Sequence, residues 1–102
     1  MTYGELLNKT AERKADAIRE LNAALNSKAG WLVKAEIEKN IGSVAWLYLA
    51  KGFCEELAEN MSEIYESADE IEQREIYDIY VAYENDEEYL YEILPDEARL
   101  FD

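Results

Sequence analysis

Apolar side chains recur at the spacing of an α-helix along most of this 102-residue chain. The clearest stretch runs from Trp46 through Phe53 and Leu57 to Ile64. A single proline and four glycines leave few places where such helices must stop. With 49% hydrophobic residues, the chain can bury one core but not two. We therefore expect residues 1–102 to form one compact, all-α domain, a bundle of about five helices.

Capping signals predict where the first helix begins and ends. Thr2 followed three residues later by Glu5 forms a capping box, so the helix is expected to start at Thr2. Gly30 provides a stop shortly after Asn26. Helical spacing predicts that the inward face of this helix carries Leu7, Ala11, Ile18, Leu21 and Leu25.

Four further helical segments are expected beyond residue 43. A long helix capped by Ser43 should end near Glu66, and Ser67 with Glu70 should cap a helix that extends to about Glu84. Asn85 should begin a short helix through Glu92, and Pro95 suits the first turn of a last helical piece. The inner face of the helix after Ser67 is predicted to carry Ile76, Ile79, Tyr80 and Tyr83.

The segment 31–50 has two interpretations. Trp31, Val33 and Ile37 lie in an alternating, strand-like pattern, whereas the residues between them are strong helix formers. A helix fits the propensities better. The alternative is a β-hairpin over residues 31–50, which would make the fold α+β.

The charge of the chain lies almost entirely in one half. Residues 1–52 carry eight basic and six acidic residues, a net charge of +2. Residues 53–102 carry two basic and eighteen acidic residues, a net charge of −16. Such a half repels nucleic acids and anionic membranes and attracts basic protein surfaces. We therefore expect a basic protein partner, with no direct nucleic-acid binding and no membrane association.

Few residues could support catalysis. The chain has no histidine and one cysteine, Cys54, which lies on the apolar stripe and is expected to be a buried structural thiol. No zinc site or phosphate-binding glycine loop is indicated, so we expect no cofactor and no enzymatic activity. The unpaired cysteine, the lack of a leader-like segment and the absence of a long apolar run predict a cytoplasmic protein.

One set of carboxylates suggests a different activity. Glu55, Glu56 and Glu59, followed by Glu75 and Asp78, form EExxE and ExxD patterns. In this respect the chain resembles the all-helical MazG-like nucleotide pyrophosphohydrolases, in which such acids hold magnesium against the triphosphate. The resemblance implies that these five residues would be metal ligands.

In size, charge and Glu, Asp and Tyr content, the chain also resembles the small acidic DNA-mimic inhibitors of phages and mobile elements, the anti-restriction and anti-CRISPR proteins. The resemblance implies an acidic binding protein that occludes the basic nucleic-acid-binding surface of a partner, such as a bacterial defence nuclease, in the host cytoplasm. Four of its acids, at positions 69, 72, 75 and 78, step by three residues like a row of phosphates. The candidate partner-binding residues are Glu55, Glu59, Glu63, Glu66, Asp69, Glu72, Glu75, Tyr77, Asp78, Glu84, Asp86, Glu87, Glu88, Tyr89, Tyr91 and Glu92.

A helical interaction or oligomerisation module, including a homodimer, is the alternative from another class. Its anchor would be the near-neutral half, and the acidic half would keep the assembly in solution. The apolar residues expected to form that seam are Leu7, Ile18, Leu25, Trp31 and Trp46.

Overall fold

The computed structural model describes residues 1–26 and 49–100, and the fold is all-α, as expected. The described elements are α1 (Tyr3–Leu25), α2 (Lys51–Glu59), α3 (Met61–Ser67), α4 (Glu70–Glu84), α5 (Leu90–Ile93) and a 3-10 helix (Asp96–Ala98). Within these ranges there is no β-strand. The predicted Ser43 cap and nearly all of the helix-or-hairpin segment lie outside the described residues.

The buried side chains form one continuous core between α1, α2 and α4. The first helix packs against α2, α3 and the 3-10 helix, while α4 packs against α2 and α5. At the centre, the Tyr3 and Phe53 rings meet edge to face with centroids 6.5 Å apart. Of the predicted stripe in α2 and α3, Phe53, Leu57 and Ile64 are fully buried. Within the described parts of the chain, no helix is both long and apolar enough to cross a membrane.

The buried face of α1 differs from the predicted one. Its start is confirmed, because Thr2 Oγ1 accepts a hydrogen bond from the Glu5 amide at 3.2 Å. The residues in the core, however, are Tyr3, Leu6 and Thr10, whereas Ala11 and Ile18 are exposed. Thr10 can be buried because its hydroxyl donates to the Leu6 carbonyl at 2.8 Å, which satisfies the polar group locally.

The long helix predicted to reach Glu66 is interrupted at Asn60, so α2 and α3 are separate helices. Both the amide and the side-chain Nδ2 of Asn60 donate to the Glu56 carbonyl, at 3.1 and 3.0 Å. The amide bond is the ordinary helical one, whereas the side-chain Nδ2 competes for the same carbonyl, and the backbone of Asn60 leaves the helical region at φ −111° and ψ 20°. The apolar stripe nevertheless continues across the break.

The cap of α4 is Asp69 and not Ser67, which corrects the predicted start. Ser67 closes α3 instead, where its hydroxyl donates to the Ile64 carbonyl at 3.1 Å. The Asp69 carboxylate accepts a hydrogen bond from the Glu72 amide at 2.8 Å. Aspartate and serine are comparable N-caps, and the charge of Asp69 also interacts favourably with the helix dipole.

Asn85 ends α4 and does not begin the next helix, so this expectation was wrong. The Glu87 amide donates to the Ala82 carbonyl at 3.0 Å and the Asp86 amide to Tyr83 at 3.3 Å, the pattern of a Schellman motif. Asp86 takes the required left-handed conformation, with φ 55°. The short helix exists, but it spans Leu90–Ile93. The helical piece expected after Pro95 is the 3-10 helix.

Candidate partner-binding surface

Several cations of α1 bind the acidic half internally and do not neutralise its outer surface. Glu56 accepts hydrogen bonds from Lys9 at 2.6 Å and from Arg13 at 3.1 Å. Partial burial alone would raise the pKa of Glu56, but these hydrogen bonds outweigh it and hold that pKa below its ordinary value. Lys14 donates to the Asp96 carbonyl at 2.7 Å. Three basic side chains of α1 therefore connect this helix to α2 and to the C-terminal segment.

Most of the predicted partner-binding residues lie on the outside of the folded acidic half. Within residues 1–26 and 49–100, two members of this set form ion pairs. Glu63 pairs with the amine of Met1 at 2.7 Å, and Glu55 pairs with Lys51 at 4.0 Å. Glu72, Glu87 and Tyr91 are partly buried. The exposed members are Glu55, Glu59, Glu63, Glu66, Asp69, Glu75, Tyr77, Asp78, Glu84, Asp86, Glu88, Tyr89 and Glu92.

The first turn of α4 holds two carboxyls that interact directly. Backbone hydrogen bonding to the Glu72 amide lowers the pKa of Asp69, and a side-chain hydrogen bond between the two carboxyls contributes in the same direction. The same side-chain hydrogen bond raises the pKa of Glu72. As the pH falls, the two carboxyls take up protons as an interacting pair. The helix N-terminus stabilises the charge that remains on Asp69.

The row of acids at positions 69, 72, 75 and 78 does not form a straight edge. Each step of three residues turns about 60° around a helix axis, so the side chains fan out. Both Glu75 and Asp78 are exposed, but Glu75 lines a cleft with Tyr3 and Glu97, whereas Asp78 lies close enough to Tyr89 to affect the pKa of that tyrosine. The helix thus presents carboxylates over a broad arc instead of a single line.

The tyrosines divide between the core and the surface. Tyr83 and Tyr91 are partly buried against the core, and Tyr80 is also partly buried. Tyr77 and Tyr89 are 57% and 47% exposed. A hydrogen bond with Glu87 is the main cause of a raised pKa at Tyr89. Tyr77 and Tyr89 therefore offer aromatic surface among the carboxylates, which is typical of residues at binding interfaces.

Sequence reasoning missed Ile71, which is the most exposed large apolar side chain among the described residues, at 83%. It lies on α4 one turn before Glu75 and two turns before Asp78. The sequence did hold a signal for its exposure, because Ile71 does not lie on the helix face that carries Ile76 and Ile79. An exposed isoleucine on this acidic helix supplies the apolar contact that a purely charged surface lacks.

The carboxylates of the MazG-like pattern are all described, and they do not converge. Glu56 is engaged by Lys9 and Arg13, and Glu55 is within 4.0 Å of Lys51. In residues 1–26 and 49–100 no group of three or more acidic or cysteine side chains is placed to hold a metal ion. The arrangement supports a charged surface better than a metal centre.

Cys54 is buried and free, as expected. Burial, and to a smaller extent the charge of Glu55, raises the pKa of its thiol to about 12. The thiolate that a nucleophile requires is therefore almost absent near neutral pH. This cysteine fills space in the core beside Phe53 and Leu57.

Comparisons with protein families, with curated proteins and with solved structures find no match to the chain. The function must therefore be argued from the surface itself. The helix α4 carries five carboxylates and one arginine over its 15 residues. This is one carboxylate per about 4.5 Å of helix, compared with one phosphate per about 3.4 Å along a DNA strand.

Proposed function

We propose that this chain is an acidic binding protein that mimics nucleic acid and occludes the nucleic-acid-binding surface of a basic partner. The observation that carries the proposal is the exposure of carboxylates on folded helices, few of them engaged in ion pairs within the described residues. Folded helices and caps hold these charges in position, so little entropy is lost when a partner binds. A disordered acidic tail would lack this advantage.

The partner class follows from the chemistry of the surface. Carboxylates at this spacing are complementary to Lys and Arg side chains that otherwise contact phosphates. Exposed Tyr77, at the centre of α4, and exposed Ile71, in its first turn, add apolar area. An enzyme with a cationic nucleic-acid channel, such as a bacterial defence nuclease, fits this description, and the cytoplasm is the proposed place of action. Inhibition would occur by competitive occlusion.

The experiment combines capture with competition. The immobilised protein is incubated with bacterial lysate, and bound proteins are eluted either with duplex DNA or with a neutral polymer. We expect a basic nucleic-acid-binding protein to elute with DNA and not with the polymer. Capture that DNA does not reverse would contradict the proposal, because mimicry requires both ligands to use one surface.

A matched pair of variants tests which acids matter. The variant D78N/E84Q/E88Q removes three exposed charges from α4 and the following turn. The control E12Q/D16N/E20Q removes the same three charges, by the same substitutions, from exposed positions of α1. The proposal predicts that the first variant loses the partner and the control keeps it. Equal losses would show that only the net charge matters.

A helical interaction module is a second candidate, and the exposure of Ile18 favours it. This residue is 38% exposed on the part of α1 beyond the core, so it is available for a contact between chains. Leu7, by contrast, packs against the core. The Leu25 side chain, Trp31 and Trp46 lie outside the described residues. Light scattering tests this candidate: a tight dimer that Ile18→Ser dissociates would support it, and a monomer at all concentrations would contradict it.

A further inference from the structure

An open cleft of about 440 Å³ lies where α1 begins, between the middle of α4 and the chain that follows α5. Glu75, Glu92 and Glu97 line it with Asp96 and Arg99. Arg99 forms an ion pair with Asp96, so these two charges neutralise each other. The remaining three carboxylates leave the cleft with an uncompensated negative charge. Partial desolvation and, to a smaller extent, the charge of Glu97 raise the pKa of Glu75, as expected where two carboxylates lie near each other.

A buried polar atom in the wall of this cleft has no partner. The Tyr3 side chain is only 3% exposed, and its hydroxyl makes no hydrogen bond. Burial raises the pKa of Tyr3, and the charges of Glu75 and Glu97 add to the effect, so both carboxylates lie near enough to act on the hydroxyl. Buried hydroxyls normally have a partner, and this one can accept a hydrogen bond from a ligand.

The second unpaired atom belongs to the same cleft. Within the described residues, Tyr3 Oη and Arg99 Nε are the buried side-chain polar atoms without a hydrogen bond, and both residues line this cleft. Arg99 Nε is a donor, so it lacks an acceptor such as a carbonyl oxygen. A ligand that satisfies both atoms carries a hydrogen-bond donor and a carbonyl, and the acidic lining of the cleft favours a donor that is cationic. Peptides with a basic side chain have both groups, whereas free polyamines have no carbonyl.

The remaining wall is apolar. Leu7, Ile93, Leu94 and Pro95 line the cleft beside the carboxylates. Lys and Arg side chains bury their aliphatic stems along such surfaces while their charged ends reach acidic groups. A bare metal ion does not fit this description, because no three acids within residues 1–26 and 49–100 are close enough to coordinate one.

We infer that this cleft receives one lysine or arginine side chain of a peptide segment, with its cation between Glu75, Glu92 and Glu97 and its N–H groups within reach of the Tyr3 hydroxyl. The inference deepens the proposed function, on which it rests for the source of the peptide, since the basic partner would supply the side chain. The cleft would thus anchor one residue at a fixed position, while the outer face of α4 contributes diffuse attraction.

The test uses no partner, so its outcome is separate from that of the proposed function. Capped arginine, N-acetyl-arginine-methylamide, is titrated into the ¹⁵N-labelled protein, with capped citrulline as the neutral isostere and spermidine as a cation without a carbonyl. We expect amide shifts confined to Tyr3, Glu75 and residues 92–99, larger for capped arginine than for spermidine and absent for citrulline. Equal shifts with citrulline would overturn the inference. Shifts spread over all exposed acids would overturn it as well, and equal affinity for spermidine would overturn the assignment to a peptide.

Variants test the named groups. E75Q/E97Q removes two carboxylates from the cleft and should lower the affinity for capped arginine by about tenfold. The control E12Q/E20Q makes the same change in net charge on α1 and should leave the affinity as in the wild type. Tyr3→Phe removes only the unpaired hydroxyl, so the fold should persist while the affinity falls severalfold. If E75Q/E97Q binds as tightly as the control, the cleft is not the site.

Discussion

Glu56 joins two helices that are distant in sequence, because its carboxylate accepts a hydrogen bond from Lys9 Nζ at 2.6 Å across 47 residues. Arg13, one turn further along α1, donates to the same carboxylate through two nitrogens, at 3.1 and 3.2 Å. The Glu56 side chain is 20% exposed. The contact therefore ties the near-neutral half of the chain to the acidic half.

Glu56→Gln should destabilise the protein by about 1 kcal/mol, because it removes the charge that orders Lys9 and Arg13. The effect is modest since both basic side chains remain partly exposed. Urea denaturation measures it. The matched control is Glu55→Gln on the exposed side of the same helix, where the ion pair with Lys51 is long, at 4.0 Å, and the free energy of unfolding should hardly change. Equal effects of the two variants would contradict the conclusion that Glu56 stabilises the fold through its contacts with Lys9 and Arg13.

Stability should pass through a maximum in mildly acidic solution. The pKa values of Glu72 and Glu75 are raised above the ordinary value of 4.5, so the folded state binds these protons more readily than the unfolded chain. Stability therefore rises as the pH falls through the raised pKa values, and this gain is complete below 4.5. The pKa of Glu56 is lowered, so its contribution is present above 4.5 and is lost as the pH falls through its folded-state value.

Thermal unfolding across this pH range measures both parts of the curve. The rising limb is the gain in stability as the pH falls from neutral, and the acid limb is the loss of stability at still lower pH. We expect the melting temperature to be highest near 4.5, the ordinary pKa of these glutamates. The variant E72Q/E75Q should flatten the rising limb, and Glu56→Gln should flatten the acid limb. A melting temperature that falls steadily from neutral to acidic pH would contradict the assignment of these shifts.

Ile71 and Ile76 should respond in opposite ways to substitution. Ile71→Ser changes an 83% exposed side chain, so the free energy of unfolding should stay within about 0.5 kcal/mol of the wild type while partner binding weakens. Ile76→Ala empties a fully buried position and should cost about 2–5 kcal/mol. Denaturation and binding assays on both variants separate the two roles. Unchanged partner affinity in Ile71→Ser would remove this residue from the interface.

Cys54 should resist alkylation while the protein is folded. Its thiol is buried and its pKa is raised to about 12, so neither access nor thiolate is available. Iodoacetamide at about pH 8 should modify it only in denaturant, where its pKa returns to the ordinary value for cysteine. Mass spectrometry gives the modified fraction. Rapid modification of the native protein would place the thiol near the surface.

Much of the fold could be predicted because its main signals are local. The cap at Thr2, the stripe from Phe53 to Ile64 and the buried Cys54 follow from spacing and residue type alone. The end of α2 could not be predicted from spacing, because the break depends on how Asn60 hydrogen-bonds to Glu56. The shifted face of α1 depends on tertiary contact, since Tyr3 is drawn inward by Phe53.

The candidate surface was predictable in composition but not in arrangement. Charge counting identified the acidic half, and Tyr77, one of the candidate partner-binding residues, is exposed. Charge counting could not reveal that α1 engages Glu56, because that pairing joins residues 43 and 47 positions apart. The cleft beside Tyr3 likewise unites three segments that only the folded chain brings together.

The most direct test of nucleic-acid mimicry is the affinity for the captured basic partner, measured by calorimetry at several salt concentrations. We predict that the wild type and E12Q/D16N/E20Q bind alike and weaken steeply with salt, as expected for carboxylates that take the place of phosphates. D78N/E84Q/E88Q should bind about tenfold more weakly and with a shallower salt dependence. An affinity that does not change with salt, or equal affinities for the two triple variants, would contradict the account.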